Sequence, residues 1–279
     1  MIDTHQHLIY PERFAYPWLD QVPLLKNSPS RLQDYRMATT GTQVTGTVFM
    51  EVDVSSAHSS AEARFFCDLS EDPANSILGV VAAARPENEA FEEHLDQIAH
   101  PALRGIRRVL HTQPDELSQS TIFRTNVAGL ARRNLTFDMC FLANQLPMAI
   151  ELADSCPDTR LMLDHCGASG IAPGGTESWK ACIARLSQRP NVFCKLSGVV
   201  SCAVEELAGH GDFSPLFDHV VACFGVERMV WGGDWPVCNL VSSLGSWIQI
   251  TQRLLSALSE SERSLILETN ARRFYQLNP

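Results

Sequence analysis

Residues 2–7 read IDTHQH, an aliphatic residue followed by an acid and two histidines spaced two apart. In a strand, side chains at i and i+2 point to the same side, so His5 and His7 converge on one spot. That is the arrangement of a metal-ligand pair or of a grip on a carbonyl oxygen. A strand with two ordinary surface histidines has the same spacing. The rest of the chain decides between these readings, and it decides the fold as well.

Short β-branched or aliphatic runs recur at 2–7, 46–51, 77–83, 104–110, 135–141, 160–165, 192–198 and 228–233. Helical patterns fill the intervals, at 30–40, 59–71, 87–99, 120–133, 145–154, 177–188, 213–224 and 241–256. The segment 87–99 is representative, with Phe91, Leu95 and Ile98 on one stripe and acids on the other. Strict alternation of eight strands with eight helices predicts an α/β fold of the (β/α)8 barrel type, a single domain over residues 1–279. A doubly wound open sheet is the structural alternative. No GxGxxG follows the first strand and no GxxxxGK[ST] occurs, so nucleotide cradling has no support. No internal repeat or Pro/Gly-rich linker divides the chain.

The net charge of −10, with no basic run longer than a pair, disfavours binding to nucleic acid. No apolar run approaches the ~18 residues that span a bilayer. Met1 is followed at once by acid and histidine, so no secretory signal is expected. Nine scattered cysteines, without a CxxC pair, read as buried thiols of a reducing cytoplasm.

In a barrel, active sites gather at the C-terminal strand ends. Here those ends carry His5 and His7, Glu51, then Arg107, Arg108 and His111, then Asp164 and His165, Lys195, and finally Asp234 and Trp235. Buried ionisable groups are unfavourable unless paired, so six such ends point to one shared polar cavity. Each residue alone also reads as a plain strand end meeting solvent. Gly232, Gly233 and Pro236 form a turn that would hold the Asp234 carboxylate rigidly at the mouth. A carboxylate beside imidazoles can take a proton from water, and histidines, or a metal they hold, can polarise a carbonyl. Arg107 or Lys195 would suit a substrate rich in hydroxyls or negative charge, with Arg107 preferred over Arg108 because it shares strand parity with His111. The loop YPERFAYPWLDQVPLLKN (10–27) is either a packed Ω-loop or a lid in which Tyr10, Tyr16 or Trp18 stacks on a sugar ring. These residues predict hydrolysis at a carbonyl.

DTHQH, LDHCG, CKLSG, WGGDWPV and the closing TNARRFYQL resemble the amidohydrolase superfamily, over residues 2 to about 277. Within it the chain is most similar to sugar-lactone hydrolases related to pyrone-dicarboxylate lactonase. The resemblance implies a (β/α)8 barrel, Asp234 as the base that activates water, and His5, His7 and His165 along the carbonyl side. GIRRVLHTQPDEL and YPWLDQVPLL look like enzymes acting on aldonolactones such as L-fucono- or L-rhamnonolactone; Tyr10, Trp18, Arg107, His111, Lys195 and Trp235 are the expected substrate contacts. Many superfamily members bridge two metals with a carboxylated lysine on strand 4. Here strand 4 has Arg107 and Arg108, and strand 5 (LTFDMCF) has no histidine, so a binuclear site is not expected.

A mononuclear site remains open, with His5, His7 and Asp234 as ligands and Glu51 or His165 as a fourth; such a set suits zinc. The chemistry does not strictly require it. The expected partner is a small lactone, and a homo-oligomer is left open. The alternatives are a zinc-dependent decarboxylase of the same superfamily and a non-catalytic sugar-acid binding protein.

Overall fold

The computed structural model describes residues 1–28, 30–202 and 212–278. Eight parallel strands follow one another in sequence order around a nearly closed sheet. They are β1 (Ile2–Gln6), β2 (Gly46–Met50), β3 (Ile77–Ala83), β4 (Leu103–Val109), β5 (Thr136–Cys140), β6 (Leu161–Leu163), β7 (Val192–Leu196) and β8 (Met229–Trp231). The helices between and after them are α1 (Leu32–Thr39), α2 (Ser59–Ser70), α3 (Phe91–Gln97), α4 (Thr121–Gly129), α5 (Leu146–Ser155), α6 (Thr176–Leu186), α7 (Ser214–Phe224) and α8 (Leu244–Leu254). The architecture is a (β/α)8 barrel. The apolar stripe read on α3 packs inward, with Phe91, Leu95 and Ile98 all buried. No helix among the described residues is long and apolar enough to cross a membrane.

Two features of β1 aim the histidines. Ile2 points into the barrel, in one layer with Val48, Met50, Val81, Met162 and Val230. Strict alternation from Ile2 would turn Thr4 and Gln6 inward and the histidines out. The register against β2 slips between Asp3 and Gln6, a β-bulge that re-aims the strand so that His5 and His7 face the interior. The buried Asp3 carboxylate satisfies the backbone there: Oδ1 accepts from His5 N at 2.9 Å and Gly233 N at 2.7 Å, and Oδ2 accepts from Tyr35 Oη at 2.7 Å.

Closure between β8 and β1 continues beyond the strand ends. Thr4 Oγ1 donates to Trp231 O at 2.6 Å, Asp234 N to His5 O at 2.9 Å, and His7 N to Trp235 O at 2.8 Å. The sixth and eighth strands are shorter than the expected 160–165 and 228–233. His165 and Cys166 adopt φ of 55° and 54°, and Asp234 also has φ of 55°. These left-handed residues turn the chain out of the strand, so both acidic ends sit on tight turns. The closing helix Asn270–Tyr275 plugs the opposite end of the barrel, where Phe274 and Tyr275 join the inner layer.

Candidate active site

At the C-terminal mouth the strand ends enclose a cavity of about 460 Å³, lined by His7, Arg107, His111, His165 and Asp234 and roofed in part by Trp18. His5 lies just beneath, fully buried. Asp234 Oδ1 is 3.7 Å from His5 Nε2 and 3.6 Å from His7 Nε2. His7 Nδ1 sits 3.0 Å from Met50 O, a carbonyl that can only accept. In its neutral form the ring would carry its hydrogen on Nδ1 and turn the Nε2 lone pair toward the carboxylate. Two acceptors facing each other in a buried site attract a cation or a shared proton.

His5 Nε2 is buried without a hydrogen-bond partner among the described residues. Together His5, His7 and Asp234 place one ligand atom each within 4.8 Å of the others. Two imidazoles and a carboxylate, with a carbonyl behind one imidazole, fit a divalent ion such as zinc. His5, Asp164 and His165 form a second such group.

His165 is held by its Nδ1 against Ser197 Oγ at 2.9 Å, which leaves Nε2 as the open nitrogen. Gly198 makes this approach possible. Its φ is +61°, and a Cβ there would collide with the His165 ring and lie 2.9 Å from Asp234 Oδ2. Burial lowers the pKa of His165, and it holds His5 well below the usual imidazole range against the pull of Asp164. Both rings are neutral near pH 7.

Below the histidines runs a buried charge network. Lys195 Nζ donates to Asp138 Oδ2 at 2.6 Å, lies 3.0 Å from Asp164 Oδ1, and approaches His5 Nδ1 at 3.3 Å. Tyr275 Oη donates to Asp138 Oδ2 at 2.7 Å, tying the C-terminal plug to the floor of the site. Arg107 donates through Nε to Asp164 Oδ2 at 3.0 Å, through Nη1 to Glu51 Oε1 at 2.8 Å and through Nη2 to Cys140 Sγ at 3.1 Å. Burial opposes the charge on Asp164, but Lys195, His5 and Arg107 hold its pKa well below the usual carboxylate range.

Arg107 turns inward as strand parity with His111 requires, whereas Arg108 turns out to pair with Glu87 at 2.9 Å. Four expected contacts lie elsewhere. Lys195 is fully buried and spends its donors on Asp138 and Asp164, so it is a floor residue and not a substrate contact. Glu51 is not a fourth ligand: it accepts from Arg107 and, through Oε2, from Asp53 N at 2.7 Å. Tyr10 packs edge-on against Phe65 and Phe66, away from the cavity, and its hydroxyl accepts from Leu32 N at 3.3 Å. Trp235 is buried against Tyr35, with ring centroids 5.4 Å apart. Of the loop aromatics, Trp18 lines the cavity. The loop folds into a 3-10 turn, Pro17–Gln21, and a short helix, Pro23–Lys26.

The sequence places Asp164 at a strand end but gives it no role in the site, and it does not single out Cys140. Asp164 had a signal, its place directly before His165 at a strand end. Cys140 had none, because a thiol inside an apolar strand reads as packing.

The amidohydrolase family model matches residues 2–277. An L-fucono-1,5-lactonase of Burkholderia ambifaria is 29% identical over a match covering 64% of this chain and 63% of that protein. One from Burkholderia multivorans is 27% identical, covering 99% of this chain and 96% of its own length. A crystal structure of an amidohydrolase from Burkholderia multivorans with bound Zn superposes with a TM-score of 0.87 at 26% identity, covering 99% of both chains. On the strength of the family match and of a barrel whose histidines and aspartate meet at its mouth, the chain belongs to the amidohydrolase family.

Proposed function

We propose that the protein hydrolyses a small lactone, and more specifically a sugar-acid lactone such as L-fucono- or L-rhamnonolactone. The observation that carries this is the Asp234 carboxylate, set against the Nε2 atoms of His5 and His7 on the floor of an enclosed cavity. The names of the relatives support the lactone class.

Asp234 takes a proton from water, and the resulting hydroxide attacks the lactone carbonyl carbon. The oxyanion that forms faces the neutral ring of His165 and the Arg107 guanidinium, which stabilise it by hydrogen bonding and charge. When the carbonyl re-forms, the ring C–O bond breaks and the proton passes to the leaving oxygen, from Asp234 or through His111. A divalent ion, zinc in this proposal, would be held by His5, His7 and Asp234 and would supply Lewis-acid polarisation of the carbonyl.

A pH-indicator screen of aldonolactones tests the proposal, run on the wild type and on Asp234→Asn. Turnover of at least one lactone is expected, with a loss of ~10²–10⁴-fold in the variant. The variant should keep its fold, because both backbone hydrogen bonds of Asp234, N to His5 O and O from Cys238 N, survive the change. A variant as active as the wild type would overturn the role given to Asp234.

A further inference from the structure

The residues that line the cavity are of two kinds. His7, His165, Arg107 and Asp234 form the reacting end, with His111 and Asp53 beside them. An apolar set, Trp18, Val22, Leu25, Leu142, Val237 and Leu240, also lines the cavity. Two segments build most of this set, the loop after β1 and the turn Val237–Leu240 after Asp234, and the two pack on one another. The one polar atom among these six side chains is the Trp18 indole nitrogen, and it donates to Val52 O at 2.8 Å. The indole is locked, with its donor already used. The apolar character continues past the rim: Leu24 is 68% exposed beside Leu25, and Val241 is 62% exposed beside Leu240.

We infer that these six side chains form a subsite for hydrocarbon, and that the substrate carries an alkyl or aryl group on the ring carbon bonded to the ring oxygen. The inference rests on the lactone reading above and narrows it. A fully hydroxylated aldonolactone would press hydroxyls against six side chains that, among the described residues, have no free donor or acceptor of their own. Each hydroxyl stripped of water without a partner weakens binding on the order of ten-fold. A hydrocarbon group gains about four-fold per buried methylene. Hydroxyls elsewhere on the ring still find His111, Asp53 and Thr112, and also Ser169 and Ser201, the latter on the segment Val199–Cys202 that packs on the Val237–Leu240 turn. The volume of about 460 Å³ also lies in the ~300–1,000 Å³ range of sites that enclose drug-sized ligands, and exceeds what a lone six-membered ring fills.

Two series with matched side chains test the subsite. In the first, δ-lactones bearing methyl, propyl or pentyl beside the ring oxygen are compared with hydroxylated aldonolactones for kcat/KM. In the second, the corresponding δ-lactams, which resist hydrolysis, are titrated calorimetrically. Both are expected to improve about four-fold per methylene until these side chains are covered. Leu240→Asn, and separately the near-isosteric Val237→Thr, should flatten that slope. Turnover of lactones with no gain from chain length, or with a preference for fully hydroxylated rings, overturns the subsite and leaves the lactone reading standing. Lactam binding that steepens with chain length, without turnover of any lactone, keeps the subsite and overturns the reaction. A flat lactam series overturns the subsite whatever the kinetics show.

Discussion

His111 and Arg107 meet on one atom, the sulfur of Cys140, at 3.2 Å from Nδ1 and 3.1 Å from Nη2. Burial pushes the Cys140 thiol up to about 12, so the sulfur keeps its hydrogen. Partial enclosure, and then the Arg107 charge, lower His111 to about 4, so its ring is neutral. The guanidinium can only donate, which makes the sulfur an acceptor on that side and leaves S–H to donate to Nδ1. The His111 tautomer is then Nε2–H, with its donor available to a substrate oxygen in the cavity. Cys140→Ala should lower turnover roughly ten-fold, the worth of one such hydrogen bond, and Cys140→Ser should recover most of it. Steady-state kinetics on a lactone substrate decide this, and an alanine variant with unchanged kcat and KM would refute the tether.

Lys195 carries the floor of the site. Burial disfavours its charge, but Asp138 and Asp164 outweigh that and raise its pKa, so it remains an ammonium. Lys195→Met would leave two carboxylates in the barrel interior without their shared cation. Removing one partner of a buried ion pair is expected to cost about 3–5 kcal/mol. Adding Asp138→Leu should return part of that loss. Urea unfolding of the single and double variants measures both, and a single variant within 1 kcal/mol of wild type would mean that the network contributes little to stability.

Glu62 on α2 presents the opposite case. It is 1% exposed, and its carboxylate has the Val52 backbone N–H nearby but no hydrogen bond at normal distance among the described residues. Burial, and repulsion from Glu51, raise its pKa well above the usual range. The folded state therefore holds a proton that the unfolded chain gives up above pH ~4.3. Stability from this group is fully present below that pH and is lost as pH rises toward the folded pKa. Glu62→Gln should stabilise the protein at pH 7 by roughly 1–3 kcal/mol and make no difference near pH 4. Denaturant melts at the two pH values test it, and a glutamine variant that is less stable at pH 7 would show that the carboxylate is ionised and satisfied.

The barrel was legible because its signal is periodic: runs such as 77–83 and 192–198 are apolar over a whole strand, with helical stripes between. The histidine pair was legible from spacing alone, and Arg107 from its parity with His111. What sequence could not supply was depth. Lys195 and Asp234 both sit near C-terminal strand ends, yet one is sealed in the floor and the other faces the cavity. The difference comes from Asp138 on β5 and Asp164 just after β6, which reach Lys195 on β7, and such meetings across the barrel leave no trace in local pattern. The bulge at Asp3 was equally hidden, because the i, i+2 spacing of His5 and His7 is the same with it or without it.

The set of His5, His7 and Asp234 makes a prediction that needs no substrate. A ligand that binds only the folded state stabilises it by RT ln(1 + [L]/Kd), or about 2.7 kcal/mol at a hundred-fold excess over Kd. For a chain of this length that corresponds to a rise in Tm of several degrees. Zinc added to chelator-treated protein should give such a rise, and EDTA should reverse it. His7→Asn should abolish most of the response, since it removes one of three ligand atoms while its side chain can still donate to Met50 O. Glu51→Gln should leave the response in place, because Glu51 is engaged with Arg107 and the Asp53 backbone and not with the histidines. A wild-type Tm indifferent to zinc would mean that the facing acceptors of His7 and Asp234 are bridged by a proton instead, and that the imidazoles act on the carbonyl directly.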